Sequence, residues 1–194
     1  MSRFATPLVA LAYLLFMAAI AAPGASRAAD LPTAVIAVVD VQDILRQSTA
    51  MTSIQNQVEK KRSEFQGEVS AQEKRLRDQE QELKRQQSVL AADAFETKRR
   101  DFESQVAAVQ RQVQERRRVL DHAYGEGLKA VQQELANIIA GMAKQRGFTL
   151  VLPEGQTLFA QPSLAITGEV LAQLNKSLPS VKLDFSAPAA KSGQ

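Results

Sequence analysis

The feature that most constrains the fold is the absence of proline from the long stretch between Pro32 and Pro153. Within it, residues 55–145 consist largely of Gln, Glu, Lys, Arg, Ala and Leu, which is the composition of long helices that face water. Helices in globular proteins average about 11–12 residues, so a helical stretch of this length must form a coiled coil or fold back on itself. Aromatic residues make up only 5% of the chain, which argues against a large globular core in the middle.

Apolar residues in this stretch recur every seven positions in two separate series. Leu76, Leu83 and Leu90 belong to the first series, and Phe95 and Phe102 begin the second. An antiparallel hairpin with its tip near residues 91–94 places the two series face to face, so we predict a helical coiled-coil arm over residues 48–145. The predicted seam residues are Phe65, Val69, Leu76, Leu83, Leu90, Phe95, Phe102, Val109 and Leu120.

Polar residues interrupt this seam. The same register places Gln72 opposite Val113 and Val69 opposite Arg116, so apolar layers alternate with half-polar ones. We therefore expect the arm to be helical but loosely held. The tip contains no glycine or proline, so its position rests on the symmetry of the two series alone.

Two glycines lie near the lower end of the returning helix. The register puts Gly127 beside Val58, and Gly125 lies just before it. Glycine costs a helix about 1 kcal/mol relative to alanine. The pair therefore indicates a bend or a close helix approach, or else a tolerated accident.

The regions that flank the arm have a different character. We predict a small β-rich head, formed by residues 29–47 and 146–183, into which the lower part of the arm packs, and an α+β fold overall. Thr167 is predicted as the N-cap of a final helix. A disordered tail is expected over residues 184–194. The three predicted strands are residues 33–40, 147–152 and 156–160.

The N-terminus has the pattern of a secretory signal peptide. A basic start at Arg3 precedes an uncharged, largely apolar run, and Ser26 and Ala28 supply the small residues that a signal peptidase reads. We expect residues 1–28 to be removed after Ala28; a membrane anchor is the less favoured alternative. The chain has no cysteine, which excludes a disulfide scaffold and lipid attachment at an N-terminal cysteine.

Composition disfavours several chemical functions. The formal net charge of +3 falls to +1 when Arg3 and Arg27 are removed with the signal peptide, which gives poor support for a nucleic-acid partner. His122 is the only histidine, so neither a metal site nor a nucleophilic triad is expected. The Gly125-x-Gly127 pair lacks the context of a phosphate-binding loop. We therefore expect no catalytic residue, no cofactor and no metal.

The densest cluster of cations is Arg116, Arg117 and Arg118. This triplet could contact lipopolysaccharide or an anionic phospholipid. The favoured interpretation is a solvated helix face, with Glu115 and Asp121 as partners.

Three segments together resemble a known family. They are residues 35–48 (VIAVVDVQDILRQS), residues 147–152 (GFTLVL) and residues 162–175 (PSLAITGEVLAQLN). The first is similar to the opening strand and short helix of the Skp/OmpH family, and the other two are similar to its C-terminal motifs. The chain departs from the family at Ala165, where an Asp usually precedes the Ile-Thr pair.

The resemblance implies a fold and a function beyond what periodicity predicts. It implies a homotrimer whose strands join in a central body, from which three hairpins enclose a cavity. It implies an ATP-independent holdase chaperone of the periplasm that binds unfolded outer-membrane β-barrel proteins. No sequence motif for client binding is expected, because a holdase needs a large and weakly adhesive surface and not a keyed pocket.

Two other classes of function remain open at this point. A structural coiled-coil spacer or adaptor of the cell envelope would share the hairpin and the secretion signal, but it usually carries larger flanking domains than this chain has room for. An enzyme is the least supported class.

Overall fold

The fold consists of two long helices and, at one end of them, a small base that is formed by residues 33–47 and 147–180 with the adjoining ends of the two helices. The computed structural model describes residues 33–186. The predicted signal peptide and most of the predicted tail lie outside these residues. In chain order the elements are β1 (Ile36–Val39), α1 (Val41–Gln47), α2 (Thr49–Gln86), α3 (Ala92–Arg146), β2 (Leu150–Pro153), two short 3₁₀ turns (Glu154–Gln156 and Pro162–Leu164) and α4 (Thr167–Ser177).

The two long helices pack against each other in antiparallel orientation. Near the base, Ile54 of α2 lies against Gly127 of α3. Near the tip, Leu83 and Phe102 line the same hollow. Residues of higher number on α2 therefore lie opposite residues of lower number on α3. Among residues 33–186, no helix combines the length and the apolar character needed to cross a membrane.

Local sequence defines the ends of these helices. The side chain of Ser48 accepts a hydrogen bond from the backbone N–H of Met51 and so caps the start of α2. Gly147 ends α3 in the left-handed conformation, with φ of 74°, which glycine adopts without steric cost. Gly147 therefore terminates the helix and does not begin a strand as predicted.

The interhelical turn lies slightly before the predicted tip. Helix α2 ends at Gln86 and α3 begins at Ala92, so the turn spans residues 87–91 and not 91–94. Ala92 and Ala94 are already helical. Alanine is the best helix former and Asp93 is favourable in the first turn of a helix, which explains why these residues extend α3.

The sheet of the base is smaller than predicted. Strands β1 and β2 are parallel, with Ile36 paired to Leu150 and Val39 to Pro153. On the other side of β1, Val38 forms an isolated bridge with Ala165. The outer edge of β2 carries no further strand among the described residues.

The predicted third strand over residues 156–160 is wrong. After β2 the chain enters a 3₁₀ turn, in which the backbone N–H of Thr157 donates to the carbonyl of Glu154 and the Thr157 hydroxyl donates to the carbonyl of Pro153. These local bonds take the place of a strand pairing. Leu158 and Phe159 then lie exposed. Within one chain, the head is therefore less β-rich than predicted.

Thr167 does not cap the final helix. It lies inside α4, whose N-cap position is Ile166 and has no side-chain capping bond. The Thr167 hydroxyl instead accepts a hydrogen bond from the backbone N–H of Asp40 at 2.9 Å. Thr167 thus ties the end of β1 to the start of α4.

A single hydrophobic core fills the base and stops at a defined level. It contains side chains from β1, α1, both long helices and α4, with Ile44, Ile54, Val131, Val170 and Leu174 completely or almost completely buried. The last buried residues toward the tip are Val58 on α2 and Val119 on α3, and no residue between 59 and 118 is buried. We call residues 59–118 the distal arm.

The start of the predicted disordered tail is ordered against the base. Residues 181–186, which we call the strap, run along α3 after α4 has ended. Leu183 is 7% exposed, and Phe185 packs against the core. The prediction of disorder from residue 184 is therefore wrong for residues 184–186, because their apolar neighbours anchor them.

The strap also explains Gly127. A Cβ at Gly127 would lie 2.6 Å from Cδ2 of Leu183 and 3.1 Å from Cδ1 of Ile54. The predicted close approach is therefore real. The nearest side chains are those of Leu183 and Ile54, however, and not that of Val58. Nothing lies within 4 Å of a Cβ at Gly125.

We expect the two glycines to respond oppositely to substitution. Gly125→Ala should raise the free energy of unfolding by about 0.5–1 kcal/mol, because it adds helix propensity in open space. Gly127→Val should lower it by about 1–3 kcal/mol, because the added methyl groups overpack the space that Leu183 and Ile54 fill. Urea denaturation followed by circular dichroism measures both. Equal changes at the two positions would contradict this packing.

Candidate functional site

The distal arm carries several concave surfaces. A hollow of about 1080 Å³ lies along α3 and is lined by nine residues between Ala107 and Arg118 together with Glu73 of α2. Two smaller hollows, of about 250 and 280 Å³, lie toward the tip and at the root of the distal arm. The arm is therefore grooved along its length and not closed by packed side chains.

All nine predicted seam residues are partly buried, and none is fully buried. The structure brings Leu83 and Phe102 together near the tip. It also brings Phe65, Val69 and Leu120 together at the root. Val109 lines the hollow of about 1080 Å³. Hydrophobic stabilisation scales with the apolar area removed from water, at roughly 25 cal/mol per Å². A half-buried seam therefore contributes less stabilisation than a fully buried core of the same residues would.

Arg116 fastens the two helices at the root of the distal arm. Its guanidinium donates to the carbonyl oxygen of Phe65 at 3.2 Å and to the carboxylate of Glu68. It also lies 4.9 Å from the centre of the Phe65 ring, where Lys61 approaches to 5.1 Å. Among residues 33–186 this is the one ion pair that joins α2 to α3. A cation–π contact at such a site contributes about 0.5–1 kcal/mol, so the fastening is weak.

The seam also contains a polar group without a partner. The side-chain oxygen Oε1 of Gln72, one helical turn above Glu68, is buried and accepts no hydrogen bond from the protein. A buried acceptor without a donor costs about 1–3 kcal/mol unless water reaches it. Together with Arg116, Gln72 makes this part of the seam polar, as the register predicts.

The predicted cation cluster is divided by the structure. Arg116 points into the seam, where its side chain is 14% exposed, and Arg118 pairs with Glu115 at 2.9 Å. Arg117 is exposed and has no ion-pair partner within the described part of the chain. Contact of this triplet with lipopolysaccharide or anionic phospholipid stays a prediction, and it depends mainly on Arg117 and Arg118.

Sequence reasoning missed a second basic triplet, Lys60, Lys61 and Arg62. The hairpin brings it near the first, since Arg62, Arg116 and Arg117 line one hollow. The pairing of positions across the predicted hairpin was the signal that could have revealed this proximity. Lys61 and Arg62 pair with Glu64 and Glu59 on their own helix, so most of this charge is locally balanced.

Ion pairs within each helix keep the exposed face of the arm charged. Hydrogen bonds from Gln86 and Arg85 lower the pKa of the Glu82 carboxyl. A hydrogen bond from Arg99 lowers the pKa of Glu96. A carboxyl with a lowered pKa contributes its ionic stabilisation above its unfolded pKa and loses it as the pH falls. At neutral pH these groups are ionised and well hydrated, which keeps a partly apolar arm in solution.

The base exposes apolar side chains that the sequence did not single out. Four of the six exposed large hydrophobic residues lie outside the two long helices and the turn between them, namely Val35, Leu150, Leu158 and Phe159. Val35 and Leu150 adjoin on the sheet, where the backbone N–H of Leu150 donates to the carbonyl of Val35. Exposed apolar residues next to an unpaired strand edge are typical of a surface that another chain covers.

No metal-binding group is assembled in the described residues. Within 33–186, no three His, Asp or Glu side chains come together as metal ligands. His122 is exposed on α3. It lies near Asp184, whose pKa is lowered first by hydrogen bonds from Ser186 and to a lesser extent by the charge of His122.

Comparisons with known proteins agree on the fold. The model of the family described as outer membrane protein (OmpH-like) matches residues 35–174, which is more than half of the chain. Among solved structures, the fold is similar to that of a Caulobacter crescentus CB15 protein named as an outer membrane chaperone (OmpH-like). That similarity has a TM-score of 0.72, 19% sequence identity, and coverage of 77% of this chain and 88% of that chain. No curated protein matches the sequence.

The register of the seam can be tested by cross-linking, because the chain has no cysteine of its own. Leu76→Cys combined with Val109→Cys should form a disulfide within one chain under mild oxidation. Leu83→Cys with Val109→Cys should not, because these positions are about 10 Å out of register. Electrophoresis without reductant measures both yields. Equal yields would exclude this register, and a product of two chains would indicate a parallel coiled coil.

Proposed function

Because this chain belongs to the OmpH-like outer membrane protein family, we propose that it is an ATP-independent holdase chaperone of the periplasm. It binds unfolded outer-membrane proteins and prevents their aggregation in transit. The observation that carries this proposal is the distal arm: two long helices held together without a single buried residue between positions 59 and 118.

The arm suits an unfolded client for physical reasons. Its half-buried seam offers apolar surface in narrow stripes, between hollows that a polypeptide can enter. Its ion pairs lie along the same helices, for example Arg99 with Glu96 and Glu103. Apolar stripes bind an unfolded chain weakly, and the charges keep the complex in solution. Weak, distributed contacts release a client without any source of chemical energy.

The exposed base supports association of this chain into a homotrimer. Within residues 33–186 no strand covers the outer edge of β2, and Leu150, Leu158 and Phe159 are exposed beside or after it. Association of three bases would cover these edges and side chains. Three distal arms would then project from one body and enclose a common space for the client. The predicted signal peptide, residues 1–28, would deliver the protein to the periplasm.

The base and the arm should separate in function when the arm is shortened. We would delete residues 76–109 and join Arg75 to Gln110 through a short flexible turn. This removes roughly 25 Å of arm, from a rise of 1.5 Å over about 17 residues of each helix. The shortened protein should keep its oligomeric mass in light scattering. It should lose most of its ability to prevent aggregation, measured as turbidity, of an outer-membrane β-barrel protein diluted from urea.

A matched control keeps the length of the arm and changes only its turn. Gln87→Gly with Ser88→Gly should preserve both mass and protection. A shortened protein that dissociates would place the oligomer interface in the arm. One that still protects large clients would place client binding in the base. If the unaltered protein fails to delay aggregation, a structural spacer of the cell envelope becomes the better explanation.

A further inference from the structure

The strap has the burial pattern of a half-buried β-strand. Its apolar residues face the base and its polar residues face water, with a period of two, although it pairs with no strand. Val181, Leu183 and Phe185 are the partly or fully buried residues, and Lys182, Asp184 and Ser186 are the exposed ones.

One side chain supplies the backbone bonds that a neighbouring strand would supply. The amide nitrogen of Gln57 donates to the carbonyl of Val181 at 2.6 Å, and the backbone N–H of Leu183 donates to the amide oxygen of Gln57 at 3.1 Å. Gln57 therefore binds the main chain on both sides of Lys182. This contact depends on the extended course of the strap and not on the identity of its side chains.

Leu183, the buried side chain of the strap, fills a space that the two long helices leave open. Leu183 lies against Gly127 of α3 and near Ile54 of α2. Because Gly127 has no side chain, it leaves the space that Leu183 fills. Backbone bonds combined with a pocket for an alternate side chain are the two elements by which proteins recognise an added extended strand.

Few hydrogen bonds attach the strap to the rest of the described chain. A cavity of about 470 Å³ stays open between it and α3, with His122, Glu126 and Ala130 in its wall. The two bonds to Gln57 are the hydrogen bonds that join the strap to the rest of the described chain. The match to the family ends at residue 174, so the strap lies outside it.

We propose that Gln57, Gly127 and Ile54 form a binding site for extended segments in which apolar and polar residues alternate, and that the strap is its intramolecular occupant. This alternation is the pattern of the strands of transmembrane β-barrels. The inference rests on the proposed function and names the feature of the client that this site reads. A client strand competes with the strap for the hydrogen bonds of Gln57 and for the space that Leu183 fills.

A labelled peptide tests the site in the full-length chain. The peptide copies residues 179–186 (PSVKLDFS) and carries a fluorophore, so that anisotropy reports its binding. The unaltered protein should bind it weakly, because a tethered competitor acts at an effective concentration in the millimolar range. Leu183→Ser, which loosens the strap, should bind the peptide at least tenfold more tightly.

Three controls define the specificity of this binding. A peptide of the same composition with Val, Leu and Phe placed consecutively should not bind. Adding Gln57→Leu to Leu183→Ser should abolish binding, because the backbone bonds are lost. Phe185→Ser, at a less buried position, should raise the affinity for the peptide by a smaller factor. It replaces Leu183→Ser as the loosened variant if circular dichroism shows that Leu183→Ser has lost helicity.

The outcomes separate this proposal from the proposed function. Equal affinity of the peptide for the unaltered protein and for both loosened variants would overturn the proposal, and so would equal binding of the rearranged peptide. If the unaltered protein still delays aggregation of a β-barrel client in either of those cases, the holdase function stands and only the strap site falls.

Discussion

The close approach of Ile54 on α2 to Gly127 on α3 holds together the root of the two long helices. At this level α2, α3, α4 and the sheet share one hydrophobic core, and toward the tip residues are buried only as far as Val58 and Val119. Below that level the helices are fixed by burial. Above it they depend on a half-buried seam, on Arg116 and on their own helix propensity. The division of the molecule into a rigid base and an adaptable arm follows from where the core ends.

This division gives the arm the properties that a holdase needs. Each layer of the seam contributes little, and the ion pair between Arg116 and Glu68 joins a shielded side chain to one that is 55% exposed, where such pairs contribute about 0–1 kcal/mol. Small separations of the helices are therefore inexpensive, which would let the proposed holdase accommodate clients of different volume. The strap, in contrast, lies against the base, where burial fixes the two helices.

Periodicity in the sequence predicts the helices well, because a seven-residue apolar repeat has few alternative structures. The tip was misplaced by a few residues since Ala92, Asp93 and Ala94 favour a helix and no glycine marks the turn. The third strand over residues 156–160 was wrong because its residues suit a strand but find no partner within one chain. The alternation in residues 181–186 was visible in the sequence. Its meaning depended on Gln57, which lies far away along the chain and is brought close only by the fold.

The most direct measurement of the central claim is hydrogen exchange, followed by mass spectrometry, with and without an unfolded outer-membrane β-barrel protein. In the free protein, amides of the distal arm should exchange much faster than those of residues 50–58 and 123–142, because no core protects them. Addition of the client should slow exchange in the distal arm and leave residues 156–160 of the base unchanged. Uniform protection of the free helices, or client protection confined to the base, would contradict the account.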